Sequence, residues 1–186
     1  MASALYLGEP GYPILARALA AAADGDGAPL LTLSDRYTGR NDDGSYRNEQ
    51  EAFWALSCID SGFPIADDAQ LRALEERAVV AAPHFGASSV NLGAVCRDWP
   101  VPPVAQSGAL LARGAPPILV VGTTGDPATP VAWAESLADD LTSGVLVLVE
   151  GSQHGTYAFG ANECLDDIGT RYLVDLEVPS QGTMCG

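Results

Sequence analysis

Two short apolar runs, Ile118–Val121 and Val145–Val149, constrain the fold of this chain more than any other feature. Each is rich in Val, Ile and Leu and lacks polar alternation, which suits parallel strands buried on both faces. The segment between them carries helix signals. Thr129 can cap, Pro130 fits the first helical position, and Val131, Ala134, Leu137, Ala138 and Leu141 share a face. The stretch from Pro116 to Tyr157 therefore reads as a β-α-β unit. In a parallel sheet, residues just past both strands emerge at the same C-terminal edge, where open α/β folds place their ligands. Asp126, in Gly125-Asp126-Pro127, follows the first run, and His154, in Gly151-Ser152-Gln153-His154-Gly155, follows the second.

An acid after one strand and a histidine after the next is the later half of a Ser-Asp-His triad in the chain order of α/β-hydrolases. The carboxylate holds the imidazole in the right tautomer and stabilises its charged form. Imidazole suits the proton-carrying role because its reference pKa lies near neutrality. The wording goes further than the spacing. GTTGDPATPVAWAESLA, VEGSQHGTYAFGANECLDDIGTRYL and VPSQGTMC resemble the C-terminal domain of tripeptidyl-aminopeptidase-like α/β-hydrolases, relatives of the prolyl aminopeptidases. The resemblance extends to LYLGEPGYPILARALAAAADGDGAPLLTLSDRYTGR and EAFWALSCID, and so covers most of the chain. It implies a partial α/β-hydrolase fold, with the last two parallel strands and their helices behind a mainly helical cap. It also implies that Asp126 and His154 are the triad acid and base.

Such enzymes carry their serine in a Gly-x-Ser-x-Gly elbow, and no such pentapeptide occurs in these residues. Gly86-Ala87-Ser88-Ser89 comes nearest, without the second glycine and without a preceding strand run. The chain thus resembles the back portion of a serine hydrolase, expected to be inactive alone and to need the missing N-terminal half as a partner. Its expected substrate is a peptide or a small amide or ester. A non-catalytic peptide-binding remnant, or one chain of a split hydrolase, is the alternative.

The formal net charge of −15 argues against nucleic acid, whose phosphates need a basic surface, and equally against anionic membranes. With 47% hydrophobic and 18% charged residues the chain has the makings of a core rather than of a disordered segment. No apolar run approaches the length of a membrane span, and the start lacks the features of a signal peptide. No metal or organic cofactor is called for.

Cys58, Cys96, Cys164 and Cys185 allow three pairings. Cys58–Cys96 and Cys164–Cys185 are expected, because each pair stays within one apparent structural unit; free buried thiols are the alternative. The second bridge would pin the irregular tail to the last helix. Disulfides favour a compartment outside the cytosol, in keeping with the exported, extracellular or cell-envelope enzymes that the chain resembles.

The first half reads as helices joined by turns, over 13–23, 28–37, 49–59 and 67–82, followed by irregular chain and the stiff Trp99-Pro100-Val101-Pro102-Pro103. Asn41-Asp42-Asp43-Gly44-Ser45 lacks the ligand spacing of a calcium loop and reads as a turn. A boundary near Gln106 divides a helical cap region, 1–106, from a core segment, 107–186. In aminopeptidases of the type resembled, cap carboxylates receive the substrate's amino group. Glu49, Glu51 and Asp60 are the candidates, although solvated helix surface accounts for each. Phe53, Trp54 and Leu56 read as core, His84 as a surface or packing residue, and Tyr157 as a pocket wall or a loop anchor. The last helix, Cys164–Val174, carries Leu165, Ile168, Tyr172 and Leu173 at helical spacing.

Overall fold

The computed structural model describes residues 2–60, 65–104 and 108–186. Helices α1 (Ala2–Leu5), α2 (Tyr12–Ala23), α3 (Ala28–Thr38), α4 (Glu49–Asp60), α5 (Asp68–Ala81) and α6 (Gly86–Ala94) come first. They are followed by β1 (Ile118–Thr123), α7 (Val131–Asp140), β2 (Gly144–Val149), α8 (Glu163–Val174) and β3 (Thr183–Cys185). The two apolar runs pair in parallel, from Ile118 opposite Gly144 to Thr123 opposite Val149, with α7 as the crossover. This is the expected β-α-β unit.

The sheet has a third strand that the sequence does not announce. The tail expected to be irregular ends in β3, which pairs in parallel with β2 from Val147↔Thr183 to Val149↔Cys185. Three residues of mixed polarity carry no strand periodicity of their own. They are held by β2's unpaired side, by the Gly182 amide donating to Leu146 O at 2.9 Å, and by the Cys164–Cys185 bridge to α8. With strand order β1-β2-β3, β2 is central. Val147, Val149, Leu165, Ile168 and Cys185 form the buried core, with Leu119 and Tyr157 against it. Full burial of a Val or Leu is worth roughly 1.5–3 kcal/mol.

On α8, Leu165 and Ile168 are buried as expected, but Leu173 is exposed. Tyr172 is spent on the sheet edge instead: its hydroxyl donates to Pro117 O at 2.7 Å and accepts from Leu119 N at 3.4 Å. The Ile118 and Thr124 amides donate to Ser143 O and Val149 O on the β2 side. The alternation of a strand therefore turns the odd-numbered amides of β1 outward, and Tyr172 occupies the first of them. Asn162 caps α8 by accepting from Leu165 N at 2.9 Å.

The chain forms two compact units: Met1–Tyr37 with Gly108–Gly186, and Thr38–Ser107. The first 37 residues group in one compact unit with the sheet. The expected boundary near Gln106 lies outside the described residues.

Within the Thr38–Ser107 unit, Asp67 caps α5 by accepting from Gln70 N at 2.8 Å, and Gln70 Oε1 accepts from Ala66 N at 2.7 Å. Residues 86–94, expected to be irregular, are helical. Two glycines and two serines give this segment weak intrinsic propensity, but α6 lies against α5, and Asn91 Nδ2 donates to Glu75 Oε1. Cys58–Cys96 bridges α4 to the 3-10 turn Val95–Asp98. Phe53 and Leu56, read as core, are exposed on α4. The Asn41–Ser45 segment is a turn, with Asp43 Oδ1 accepting from Ser45 N at 2.9 Å.

The Cys164–Cys185 bridge closes a loop of sequence separation 21, and Cys185 is fully buried. Replacing Cys185 with Ser is expected to destabilise the chain by about 3 kcal/mol, the loop-closure scale for such a bridge. Denaturant unfolding of the oxidised protein measures this, and an unchanged midpoint would show that the bridge does not hold β3.

Candidate active site

The site grows from the C-terminal ends of β1 and β2. Past the strands the pairing continues for two more bonds, Thr124 N to Val149 O at 2.9 Å and Gly125 N to Gly151 O at 2.8 Å. The two loops therefore leave the sheet side by side. Thr123 and Thr156, both buried, tie their bases together through a hydroxyl contact of 2.9 Å.

The sequence Asp126-Pro127-Ala128-Thr129 folds around the Asp126 carboxylate. Oδ1 accepts from Ala128 N at 2.7 Å and Thr129 N at 3.0 Å, and Oδ2 accepts from the Thr129 hydroxyl at 2.7 Å. The Thr129 hydroxyl, expected to cap α7, turns to Asp126 instead, and Pro130 takes the cap position. Asp followed by Thr three residues on is the signature of a side chain bonding its own turn. That signal was available in the sequence.

The carboxylate reaches His154 Nδ1 through Oδ2 at 2.9 Å and Oδ1 at 3.2 Å. The Asp126 side chain is 5% exposed and that of His154 39%. The acid is thus enclosed and the imidazole half open. Burial alone would raise the Asp126 pKa; the bonds from Thr129, Ala128 and His154 outweigh it and hold the carboxyl below its ordinary value of 3.8. Asp126 is accordingly an anion at neutral pH, and an anion on Nδ1 fixes the imidazole with its other nitrogen, Nε2, free to exchange a proton. No hydrogen bond from Nε2 is formed among the described residues. Gly155, with φ +78°, lets the chain turn directly behind the histidine.

His154 lines two cavities of the same unit. One, of about 510 Å³, includes Asp126, Thr129, Trp133, Tyr157 and Phe159 in its walls. Trp133 and Phe159 there are 64% and 79% exposed. The other, of about 750 Å³, is lined by Tyr6, Glu9, Glu150 and Gln153 among others. Tyr157 fills both roles considered for it, since its ring also lies against Gly169 of α8 and its hydroxyl meets Thr170 at 3.4 Å.

Of the residues singled out from sequence, the structure joins Asp126 and His154. Glu49, Glu51, Asp60 and His84 belong to the Thr38–Ser107 unit and are exposed there. Glu49 pairs with Arg47 at 3.2 Å. Among the described residues no group of three or more His, Cys, Asp or Glu is arranged to hold a metal, and no helix is long and apolar enough to cross a membrane. Sequence reasoning missed Tyr6, whose carbonyl accepts from His154 N at 2.9 Å. Its position far back in the chain left no local signal.

Residues 82–185 match the family model described as TAP-like protein. Over 166 residues the chain is 37% identical to the protein named serine protease Hip1 of Mycobacterium tuberculosis (H37Rv), covering 87% of this chain and 31% of that protein. Over 163 residues it is 36% identical to the protein named carboxylesterase B of the same strain, covering 86% and 31%. The chain thus spans about a third of the length of these relatives.

Because the Asp126 pKa is depressed on folding, its stabilising contribution is complete above the ordinary carboxyl value and is lost as pH falls through the folded one. Urea unfolding between about pH 5 and 2 is expected to show a steeper acid loss in the wild type than in Asp126→Asn. Thr129→Val, which removes the hydroxyl donor, is expected to raise the Asp126 pKa toward its ordinary value in a carboxyl 13C titration. An unmoved titration would show that the hydroxyl does not tune the acid.

Proposed function

We propose that this chain, which belongs to the TAP-like family of α/β-hydrolases, supplies the acid and base of a serine hydrolase whose nucleophile lies outside these 186 residues. The observation that carries the reading is the bond from His154 Nδ1 to the enclosed Asp126 carboxylate at 2.9 Å, beneath an imidazole that is half open.

In the proposed reaction a serine hydroxyl attacks the substrate carbonyl while His154 Nε2 takes its proton. The imidazolium so formed is stabilised by Asp126, which stays ionised throughout. His154 then returns the proton to the leaving amine or alcohol as the tetrahedral intermediate collapses to an acyl-enzyme. Water repeats the cycle in the second half, with His154 as base again, and releases the acid product. Amides and esters both fit this chemistry, and the relatives are named for a protease and an esterase. Within that range we propose an aminopeptidase of tripeptidyl or prolyl type, working outside the cytosol. Its two disulfides favour an oxidising compartment.

The test joins the chain to, or co-expresses it with, the Gly-x-Ser-x-Gly-bearing portion of the hydrolase from the same source. Chromogenic aminoacyl and tripeptidyl amides and short-chain esters are then assayed. Hydrolysis is expected from the assembled protein and not from the isolated chain, with kcat/KM lowered about 10⁴-fold in Asp126→Asn and at least as far in His154→Ala. Turnover by the isolated chain that disappears in His154→Ala would overturn the missing-nucleophile reading. An assembled enzyme indifferent to both substitutions would overturn the assignment of acid and base.

A further inference from the structure

The segment Tyr6 to Gly8 lies on the histidine loop, far from it in sequence and in the same compact unit. Three contacts join them. The Tyr6 carbonyl accepts from the His154 amide at 2.9 Å. The Tyr6 ring lies 5.0 Å from the imidazole, centroid to centroid, tilted by 52°. Gly8 approaches Gln153 so closely that an added Cβ would stand 3.1 Å from both Gln153 N and Gln153 Cβ. Gly8 also has φ +63° and ψ −143°, a conformation that side-chain-bearing residues rarely adopt.

Asp126 fixes one nitrogen of the imidazole but leaves the ring free to pivot about that bond. With 39% of its side chain exposed, His154 is not held by burial. We infer that Tyr6 and Gly8 are positioning residues, a clamp that fixes His154 in the orientation in which Asp126 meets Nδ1. The carbonyl holds the backbone of His154, the Tyr6 ring bounds the swing of the imidazole, and Gly8 permits the close approach that both require. The inference rests on the acid-base reading of Asp126 and His154.

Tyr6 is itself braced. Its ring meets Tyr37 edge-on at 6.0 Å. Burial raises the pKa of its phenol, and the Tyr37 hydrogen bond, the Tyr37 charge and the Asp126 charge all push the same way. The ring therefore stays neutral while the histidine cycles, and it does not compete for the proton. The clamp works through shape and through a backbone carbonyl.

The chain holds only two histidines, and His84 belongs to the other unit, so one spectrum contains both probe and reference. The tautomer ratio of each neutral imidazole is read from ring 15N shifts of the oxidised 186-residue chain. In the wild type, His154 is expected to be mainly the Nδ1–H form and His84 a solution-like mixture. Tyr6→Ala and Gly8→Ala are each expected to lower the His154 ratio about tenfold, the scale of one hydrogen bond. His84 should not move, and Tyr6→Phe, which keeps the ring, should restore the wild-type ratio. Unchanged His84 shifts and amide dispersion check that the variants are folded.

Asp126→Asn separates the two levels of the reading. A His154 ratio that ignores Asp126→Asn refutes the acid-base pair on which the clamp rests. A ratio that responds to Asp126→Asn but to neither Tyr6→Ala nor Gly8→Ala refutes the clamp alone.

Discussion

Everything at the candidate site depends on the register of one parallel strand pair. With Thr123 opposite Val149, the two loops depart level with one another, and the ladder runs on to Gly125 and Gly151 before the chains diverge. A slip of one residue would turn every side chain of the moved strand to the other face. It would also carry the carboxylate and the imidazole apart by about one strand step, 3.3 Å, more than the margin of a hydrogen bond. The face of β2 that carries Val147 and Val149, buried against Leu165 and Ile168 of α8, fixes that register. The chemistry is therefore set by the packing of Val147 and Val149, residues with no chemistry of their own.

The environment of Asp126 shows two opposing effects of comparable kind. Enclosure disfavours a charge, while two backbone amides, a hydroxyl and an imidazole favour it. The hydrogen bonds win because the turn after β1 aims three donors, the Ala128 and Thr129 amides and the Thr129 hydroxyl, at the carboxylate, and His154 adds a fourth. The donors from its own turn are thus only two and three residues away in sequence, and His154 reaches the carboxylate from the loop after β2.

What could be read from the sequence follows a physical division. β1, β2 and α7 were legible because an unbroken Val/Ile/Leu run and a one-sided helix announce themselves within ten residues. The meeting of Asp126 and His154 was legible because topology puts the ends of parallel strands on one edge. The start of α5 was legible to within a residue, since its capping side chain, Asp67, acts only three residues away. β3 was not, since three residues acquire strand geometry only from the side of β2 that receives them. The helix over 86–94 was hidden by its glycines and serines, which fold there through contact with α5. Phe53, Leu56 and Leu173 carried the apolar spacing of a buried face, yet spacing states which residues share a side, and not what that side meets. Tyr6 and its neighbours joined the sheet unit through contacts more than a hundred residues distant, beyond any local pattern.

Tyr172 adds a last constraint. Its hydroxyl closes the outer side of β1 at Pro117 and Leu119, so the edge of the sheet is half sealed. Beyond it Val121 is the exposed residue of β1, while Thr123 is buried and its carbonyl accepts from Asp126 N at 3.3 Å. The phenol acts as an end stop, like the block at the foot of a sliding track: it occupies the first outward backbone groups of β1 and denies an arriving strand a full-length berth.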